Sequence, residues 1–320
     1  MKTVLKVVGL LLLALLLLTG AGYGWAAART HRMLARSFRI QDESFAIPFP
    51  LDSAEVVLLR LTPEQAGDSA RVRAVRRGRH LVEARYGCTD CHGTDFGGGV
   101  MVDNAALGRI LGPNLTTGQG SRTLRYGPAD WDRMVRHGVK PDGRPGAMPS
   151  EDFQYMSDQE LSDVVAYIRS LPPVDRAVPA VSLGPLGTVL VATGKMPLSA
   201  DRIPDTGSHP RVPPPTEATA AFGEHLAATC RGCHGSDFAG GPIPGGDPSW
   251  PPARDITPAG LAGWSYQDFL RAIREGKRPD GTDLRDPMAR MLPYGRNMTD
   301  VEARALWAYL QSLPAASRTD

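Results

Sequence analysis

The chain has 320 residues, a formal net charge of +2 and four cysteines. This length suggests two domains rather than one. A net charge so close to zero excludes a strongly basic protein, so we expect no nucleic-acid partner and no strong electrostatic steering of ligands.

The chain begins with an uncharged apolar stretch, residues 7–28, which is dominated by leucine. As a helix it would be about 33 Å long, enough to cross the hydrocarbon core of a bilayer. Tyr23 and Trp25 lie near its far end, where aromatic rings favour the membrane interface. The alanines after Trp25 also fit a cleaved signal peptide, but they lie well beyond the leucine-rich part. The pattern therefore favours an uncleaved transmembrane anchor.

Two copies of the pattern Cys-x-x-Cys-His use all four cysteines of the chain. Two thiols at this spacing can add to the two vinyl groups of one haem, and the histidine that follows can then reach the iron. We therefore expect two covalently bound haem c groups. The predicted attachment residues are Cys88, Cys91, Cys230 and Cys233, and the predicted axial histidines are His92 and His234.

Other uses of the four cysteines fit the pattern less well. One zinc site could take all four thiolates, but the two pairs are far apart and each carries a histidine that such a site does not need. A thioredoxin-like site would need a βαβ pattern, which the chain lacks. Disulfides suit an exported protein but leave both histidines unexplained.

The haem motifs also predict the orientation of the anchor. Lysines precede the apolar stretch and arginines follow it, so the flanking charges do not decide between the two orientations. Because c-type haem is attached outside the cytoplasm in bacteria, we expect a single-pass protein of the bacterial inner membrane. Its haem domains would lie in the periplasm.

The chain also contains an internal repeat, with one haem motif near the start of each copy. Each copy is predicted to form helices joined by long loops: a short helix before the motif, a second at 128–138 or 266–276, and a last helix that begins with a capping box. The predicted segments are an anchor or signal peptide (1–28), a linker (29–69), the first repeat domain (70–172), a proline-rich linker (173–217), the second repeat domain (218–315) and a tail (316–320).

Several residues recur at matching places in the two copies. We expect Gly78 and Gly223 to let the first helix of each copy cross the last one closely. His80 and His225 also recur, and on helices of this kind we expect them to be surface or core residues rather than iron ligands. A stretch in the proline-rich linker, residues 189–192, is apolar enough to pack on a domain.

The second axial ligand of each iron must come from later in each copy, and methionine is the usual choice in electron carriers. In the first copy Met148 precedes a proline, which would stiffen the loop that holds a weak thioether ligand. Met156 is the alternative, but its position just before the last helix suits a hydrophobic staple. In the second copy we choose Met288, and Met291 is nearly as good a candidate.

A backbone carbonyl near Pro113 could accept the other ring N–H of His92 and so fix its tautomer. The second copy has Arg254-Asp255-Ile256 at the aligned position, where the sequence gives no basis for the same contact.

These residues resemble those of bacterial di-haem, class I-like cytochromes c related to the cytochrome subunits of membrane alcohol and gluconate dehydrogenases. The resemblance covers about residues 77–314. It rests on both Cys-x-x-Cys-His-Gly motifs, on Gly-Pro-Asn-Leu-Thr at 112–116, on Met-Pro-Ser at 148–150 and on Ala-Tyr-Ile-Arg-Ser-Leu-Pro at 166–172. It implies an all-α fold of two tandem cytochrome c-like domains, with methionine and histidine on each iron.

We therefore expect a membrane-anchored electron carrier without catalytic residues. It would transfer electrons between a dehydrogenase or quinol-side donor and a respiratory acceptor, so its expected partners are the membrane, a dehydrogenase and a terminal oxidase. The alternative is a haem enzyme, such as a peroxidase or sulfur-compound oxidase, with a displaceable ligand at the second haem.

Overall fold

The computed structural model describes residues 1–41, 43–203, 209–244, 246–247 and 249–314. Its first helix, α1 (Lys2–Ala35), is longer than the apolar stretch that predicted it. By length and composition, α1 is the one helix in these ranges that could cross a membrane. Its leucine-rich part is exposed, so no other described segment covers the apolar surface.

Beyond the apolar stretch, α1 packs on helix α7 (Pro185–Ala192). The Thr30 hydroxyl donates to the carbonyl of Thr188 at 2.8 Å, and the guanidinium of Arg29 donates to the carbonyl of Ala192 at the same distance. The apolar stretch at 189–192 therefore packs on the N-terminal helix, whereas the sequence suggested a repeat domain as its partner.

In the first repeat, helix α3 (Pro63–Leu81) crosses helix α6 (Asp158–Ser170) at Gly78. A Cβ on Gly78 would overlap the backbone carbonyl of Asp163 and would press on the Cβ of Tyr167. The close crossing predicted from the recurring glycine is confirmed. However, α3 is not short: it has 19 residues and continues as a π-helical turn, Val82–Tyr86.

In the second repeat, helix α8 (Ala220–Ala227) crosses helix α12 (Asp300–Ser312) in the same way. A Cβ on Gly223 would overlap the carbonyl of Ala305 and would press on the Cβ of Tyr309. Both crossings therefore depend on the missing side chain of glycine, because only then can the two backbones touch.

The last helix of each repeat begins with the predicted capping box. The Ser157 hydroxyl accepts from the amide of Glu160 at 3.2 Å, and the Glu160 carboxylate accepts from the amide of Ser157 at 2.8 Å. Thr299 and Glu302 make the same pair of bonds at the start of α12. The apolar face predicted for α6 is buried, and it consists of Leu161, Val164, Val165 and Ile168.

The remaining helices are short and are joined by long loops. Helix α2 (Ser53–Leu58) lies in the linker before the first repeat, whose short helices are α4 (Cys88–His92) and α5 (Pro128–His137). Those of the second are α9 (Arg231–His234), α10 (Tyr266–Glu275) and α11 (Leu292–Asn297). The predictions at 128–138 and 266–276 therefore match α5 and α10.

The fold is mostly helical, as predicted, but it also contains a small antiparallel sheet that the sequence did not indicate. Strands β1 (Gly99–Asn104) and β2 (Gly108–Gly112) form a hairpin, and β3 (Ser182–Leu183) pairs with β2. Because β3 comes from the proline-rich linker, the sheet fastens the start of that linker to the first repeat.

Other hydrogen bonds also attach this linker to the first repeat. The buried amide of Asn114 donates to the carbonyls of Val174 and Arg176 at 2.6 and 3.0 Å. Further along, the Ser199 hydroxyl donates to the carbonyl of Met148 at 2.7 Å. The proline-rich linker is therefore held against the first repeat by hydrogen bonds along its length.

We predict that Gly78→Ala destabilises the chain, because the new methyl group collides with a backbone carbonyl that cannot move independently. Overpacking of this kind costs about 1–3 kcal/mol, which thermal unfolding followed by circular dichroism would detect. Gly67→Ala is the matched control, since Gly67 lies on the same helix with open space around it. It should leave stability equal or slightly higher. Equal stability of both variants would contradict the close crossing.

Candidate haem sites

Each haem motif forms a short helix directly after the first helix of its repeat. In the first repeat Cys88 packs against an apolar cluster that includes Phe96, Leu115 and Trp131. In the second, Cys230 packs against an apolar cluster of the same kind. All four thiols are free of disulfides. An apolar body bonded to these thiols would therefore enter a hydrophobic core.

The histidine of each motif is oriented by a backbone carbonyl. Nδ1 of His92 lies 2.9 Å from the carbonyl oxygen of Pro113, which confirms the predicted contact. Nδ1 of His234 lies 2.7 Å from the carbonyl oxygen of Arg254, so the second domain makes the same contact although its residues there differ. With Nδ1–H donating, Nε2 is the ring nitrogen that can bind a metal. Burial lowers the pKa of both histidines, which favours the neutral form that ligation requires.

The surroundings of the four thiols disfavour the thiolate form. Burial raises the pKa of Cys88 to about 12 and that of Cys91 and Cys230 to about 11, and it also raises the pKa of Cys233. Within the described ranges, no cysteine belongs to a group of three or more side chains close enough to share one ion. The donor set of each motif therefore fits one covalently attached haem and does not fit a shared zinc ion.

The methionine candidates follow matching turns: Met148 lies in a loop, and Met288 and Met291 bound a short 3-10 helix, Met288–Met291. The amide of Gly146 donates to the carbonyl of Gly138 in the first repeat, and the amide of Leu284 donates to the carbonyl of Gly276 in the second. Met148 lies shortly after the first turn and is half-buried. In the second repeat, Met288 is also half-buried and lies closer to its turn than Met291.

The exposure of their side chains distinguishes the remaining methionine candidates. Met291 is 40% exposed, and Met156 is 2% exposed within the apolar cluster of the first repeat. The burial of Met156 agrees with the packing role expected for it. The choice of Met148 and Met288 as axial ligands remains a prediction, with Met291 as the less buried alternative.

Comparison with protein families gives a match for each repeat. Residues 73–168 match the family described as cytochrome c oxidase, cbb3-type, subunit III, and residues 220–314 match the cytochrome c family. The chain contains two cytochrome c domains. Together with the two motifs, these matches support two c-type haems in the protein.

Several relatives that match across both cytochrome c domains are named as cytochromes. The chain is 29% identical over 291 residues to the cytochrome c subunit of a quinone-dependent alcohol dehydrogenase from Gluconacetobacter polyoxogenes, a match that covers 80% of the chain and 58% of the relative. It is 27% identical over 251 residues to a dihaem cytochrome c-type protein from Cereibacter sphaeroides, covering 72% and 82%. The chain thus spans little more than half the length of the dehydrogenase subunit.

The two cytochrome c domains are joined by a reciprocal pair of contacts. Nε2 of His80 lies 2.8 Å from the carboxylate of Glu302, and Nε2 of His225 lies 2.8 Å from the carboxylate of Glu160. Each histidine therefore contacts the capping-box glutamate of the other domain. These roles were not predicted, although the recurrence of both histidines in the repeat was the available signal.

The two contacts have different surroundings. Beside Glu160 lies the guanidinium of Arg85, which donates to that carboxylate and to the carbonyl of His225, both at 2.7 Å. Burial opposes ionisation of Glu160, but Arg85 and His225 outweigh it and lower the pKa of this carboxyl to about 2. Arg85 belongs to the π-helical turn, and the stretch that contains this turn is three residues longer than its counterpart in the second domain.

Both haem motifs lie at the interface between the domains. Asp152, which follows Met148 in the first domain, packs against Gly232 in the second motif. Tyr294, which follows Met288 in the second domain, lies beside Gly87 at the start of the first motif. Burial raises the pKa of the Tyr294 hydroxyl, and a hydrogen bond to Asp90 raises it further. Each motif is thus covered by a residue from the short helical segment that follows the methionine candidate of the other domain.

The contact between His80 and Glu302 predicts a pH dependence. The hydrogen bond to Glu302 raises the pKa of His80 above its ordinary value of 6.5. The stabilisation is therefore fully present below that value and is lost as the pH rises through the raised pKa. We expect His80→Gln to lower the thermal midpoint by roughly 2 °C at pH 5.5 and by less at pH 8.5, since this partly exposed pair is screened by solvent.

His31→Gln is the control for this prediction, because His31 is exposed on α1. It should leave the thermal midpoint unchanged at both pH values. If His80→Gln lowers stability equally at pH 5.5 and 8.5, the charged form of His80 contributes nothing to the interface.

Proposed function

We propose that the chain is a periplasm-facing, membrane-anchored di-haem cytochrome c that transfers electrons. The observation that carries this proposal is the repeated donor set: a pair of thiols, the first of them packed against an apolar core, followed by a histidine whose Nδ1 is held by a backbone carbonyl. Such a set suits a permanently attached redox group.

When bound, each haem supplies one-electron chemistry by cycling its iron between the ferrous and ferric states. The chain's residues would hold and tune the haems. Cys88, Cys91, Cys230 and Cys233 would attach the haems through thioether bonds. The axial ligands would be His92 with Met148 in the first domain and His234 with Met288 in the second.

The interface supports electron transfer between the two domains as part of this function. Because each motif is covered by the other domain, the two redox groups would be attached on facing sides of one interface. The reciprocal histidine–glutamate contacts would then hold their separation constant. A constant separation matters because the protein's contribution to such chemistry is the position and environment of the cofactor.

The donor and acceptor are proposed from the relatives. One is named as a subunit of a quinone-dependent alcohol dehydrogenase and another as a fructose dehydrogenase cytochrome subunit. Over a shorter stretch, the chain is 32% identical to a cbb3-type cytochrome c oxidase subunit from Helicobacter pylori. We propose a dehydrogenase or quinol-side donor and a respiratory acceptor, with α1 as the membrane anchor.

Protease added to spheroplasts reaches the periplasmic face of the inner membrane and tests the proposed orientation. Degradation of the haem domains supports it, and their protection contradicts it.

We predict that the pair Cys88→Ala and Cys91→Ala halves the haem content per chain, because each pair of thiols attaches one haem. The pyridine haemochrome spectrum, measured against protein concentration, gives this ratio. The pair Cys230→Ala and Cys233→Ala is the matched variant and should also leave half. Retention of both haems by either double variant would contradict the attachment sites.

We predict that Met148→Ala removes about half of the weak long-wavelength ferric absorption that marks a methionine–iron bond and lowers one of two midpoint potentials. Met288→Ala should remove the other half, and Met156→Ala, the packing control, should leave the band intact. If Met291→Ala rather than Met288→Ala removes the second half of the band, Met291 is the ligand of the second iron. A second haem without this band that readily binds carbon monoxide or peroxide in the unaltered protein would favour a haem enzyme instead.

A further inference from the structure

A cluster of three side chains in the first cytochrome c domain has no part in the haem sites. It contains Asp132 and His137 from α5 and His209 from the segment between the domains. The two Nε2 atoms are 3.2 Å apart, and they lie 3.8 and 3.9 Å from Oδ1 of Asp132. The side chains are 0, 5 and 13% exposed, so only His209 reaches solvent to any degree.

Comparison of the two repeats shows which of these side chains belong to the structure that both domains share. Arg136 bonds to the carbonyl of Met156 and to Asp158, and Arg274 makes the same two bonds to Met298 and Asp300 in the second domain. This arginine therefore serves the shared fold. The second domain has Leu270 and Glu275 where the first has Asp132 and His137. The cluster is thus an addition of the first domain, and the shared fold does not explain it.

The spacing of the cluster suits a divalent ion. Donor atoms around a tetrahedral zinc ion lie roughly 3.3 Å apart, which follows from bond lengths of about 2.0–2.1 Å. The two histidine nitrogens have this separation. Oδ1 of Asp132 accepts from Nε of Arg136 at 2.6 Å, whereas Oδ2 is buried and has no hydrogen-bond partner among the described residues. A cation held by the two imidazoles would satisfy Oδ2.

The surrounding charges are mixed. The carboxylates of Asp132, Asp158 and Glu43 lie near the cluster and favour a cation, whereas the guanidinium of Arg136, which donates to Oδ1 of Asp132 at 2.6 Å, opposes it.

We propose that Asp132, His137 and His209 form a Zn²⁺ site, separate from the haems, that fastens the segment between the domains to the first cytochrome c domain. Two imidazoles and one carboxylate are a donor set that zinc prefers, and solvent supplies a fourth ligand in many sites of this kind. The site would hold His209 against α5, and it would thereby fix the path of the chain that leads to the second domain.

The test uses the full-length protein with its haems, stripped with a chelator and then titrated with ZnCl₂. After the titration, inductively coupled plasma mass spectrometry should find one zinc per chain, and isothermal titration calorimetry should give one binding site. Loss of a residue that only hydrogen-bonds a metal ligand weakens metal binding by roughly 10–100-fold. Because His137 and His209 would be ligands themselves, we expect His137→Ala and His209→Ala each to weaken zinc binding by more than this. Zinc should raise the thermal midpoint of the unaltered protein and of neither variant.

His31→Ala is the matched control, because it removes an exposed histidine and should leave zinc binding intact. His209→Gln, at the most exposed ligand, gives a second test if an alanine variant loses its haems. An unaltered protein that binds no zinc would show that the two imidazoles only share a hydrogen bond, and the proposal would fail. Zinc binding that survives in the His137 and His209 variants would also overturn it.

Discussion

The contact between the backbones of the first and last helices is the constraint on which each cytochrome c domain depends. At Gly78 and Gly223 the helices touch so closely that a side chain would overlap a carbonyl of the opposite helix. Each first helix leads directly into a haem motif, and each last helix begins with a capping box. The crossing therefore fixes the attachment site of the haem relative to the carboxylate that the other domain contacts.

Each capping-box glutamate has two roles, because it caps the start of one helix and joins two domains. Glu160 and Glu302 satisfy the first amides of their own helices, and each accepts from a histidine of the other domain. Local helix capping and the domain interface are consequently coupled through two carboxylates. The interface is not fully symmetric, since only the first domain has the π-helical turn that contributes Arg85.

The two domains differ most where the first one binds the segment that follows it. Asn114 and strand β2 hold the start of this segment, and Ser199 bonds to the loop of Met148. The cluster around His209 lies on the same segment. The connection between the domains is thus attached to the first domain at several points, so the first methionine loop has support that the second lacks among the described residues. This difference would let two similar sequences give two different haem environments.

The sequence by itself determined the features that depend on local geometry. These are the two haem motifs, the repeat, the capping boxes and the glycine crossings, because thioether spacing, helix caps and close backbone contacts require particular residues at fixed positions. Only the tertiary structure decided which carbonyl orients His234. Every residue carries a backbone carbonyl, so no residue type in the sequence marks the one that accepts this hydrogen bond. It also decided the two-residue strand β3, the partners of His80 and His225, and the cluster at His209. Those pairings join residues far apart in the chain, and their positions follow from the packing of whole domains rather than from any local pattern.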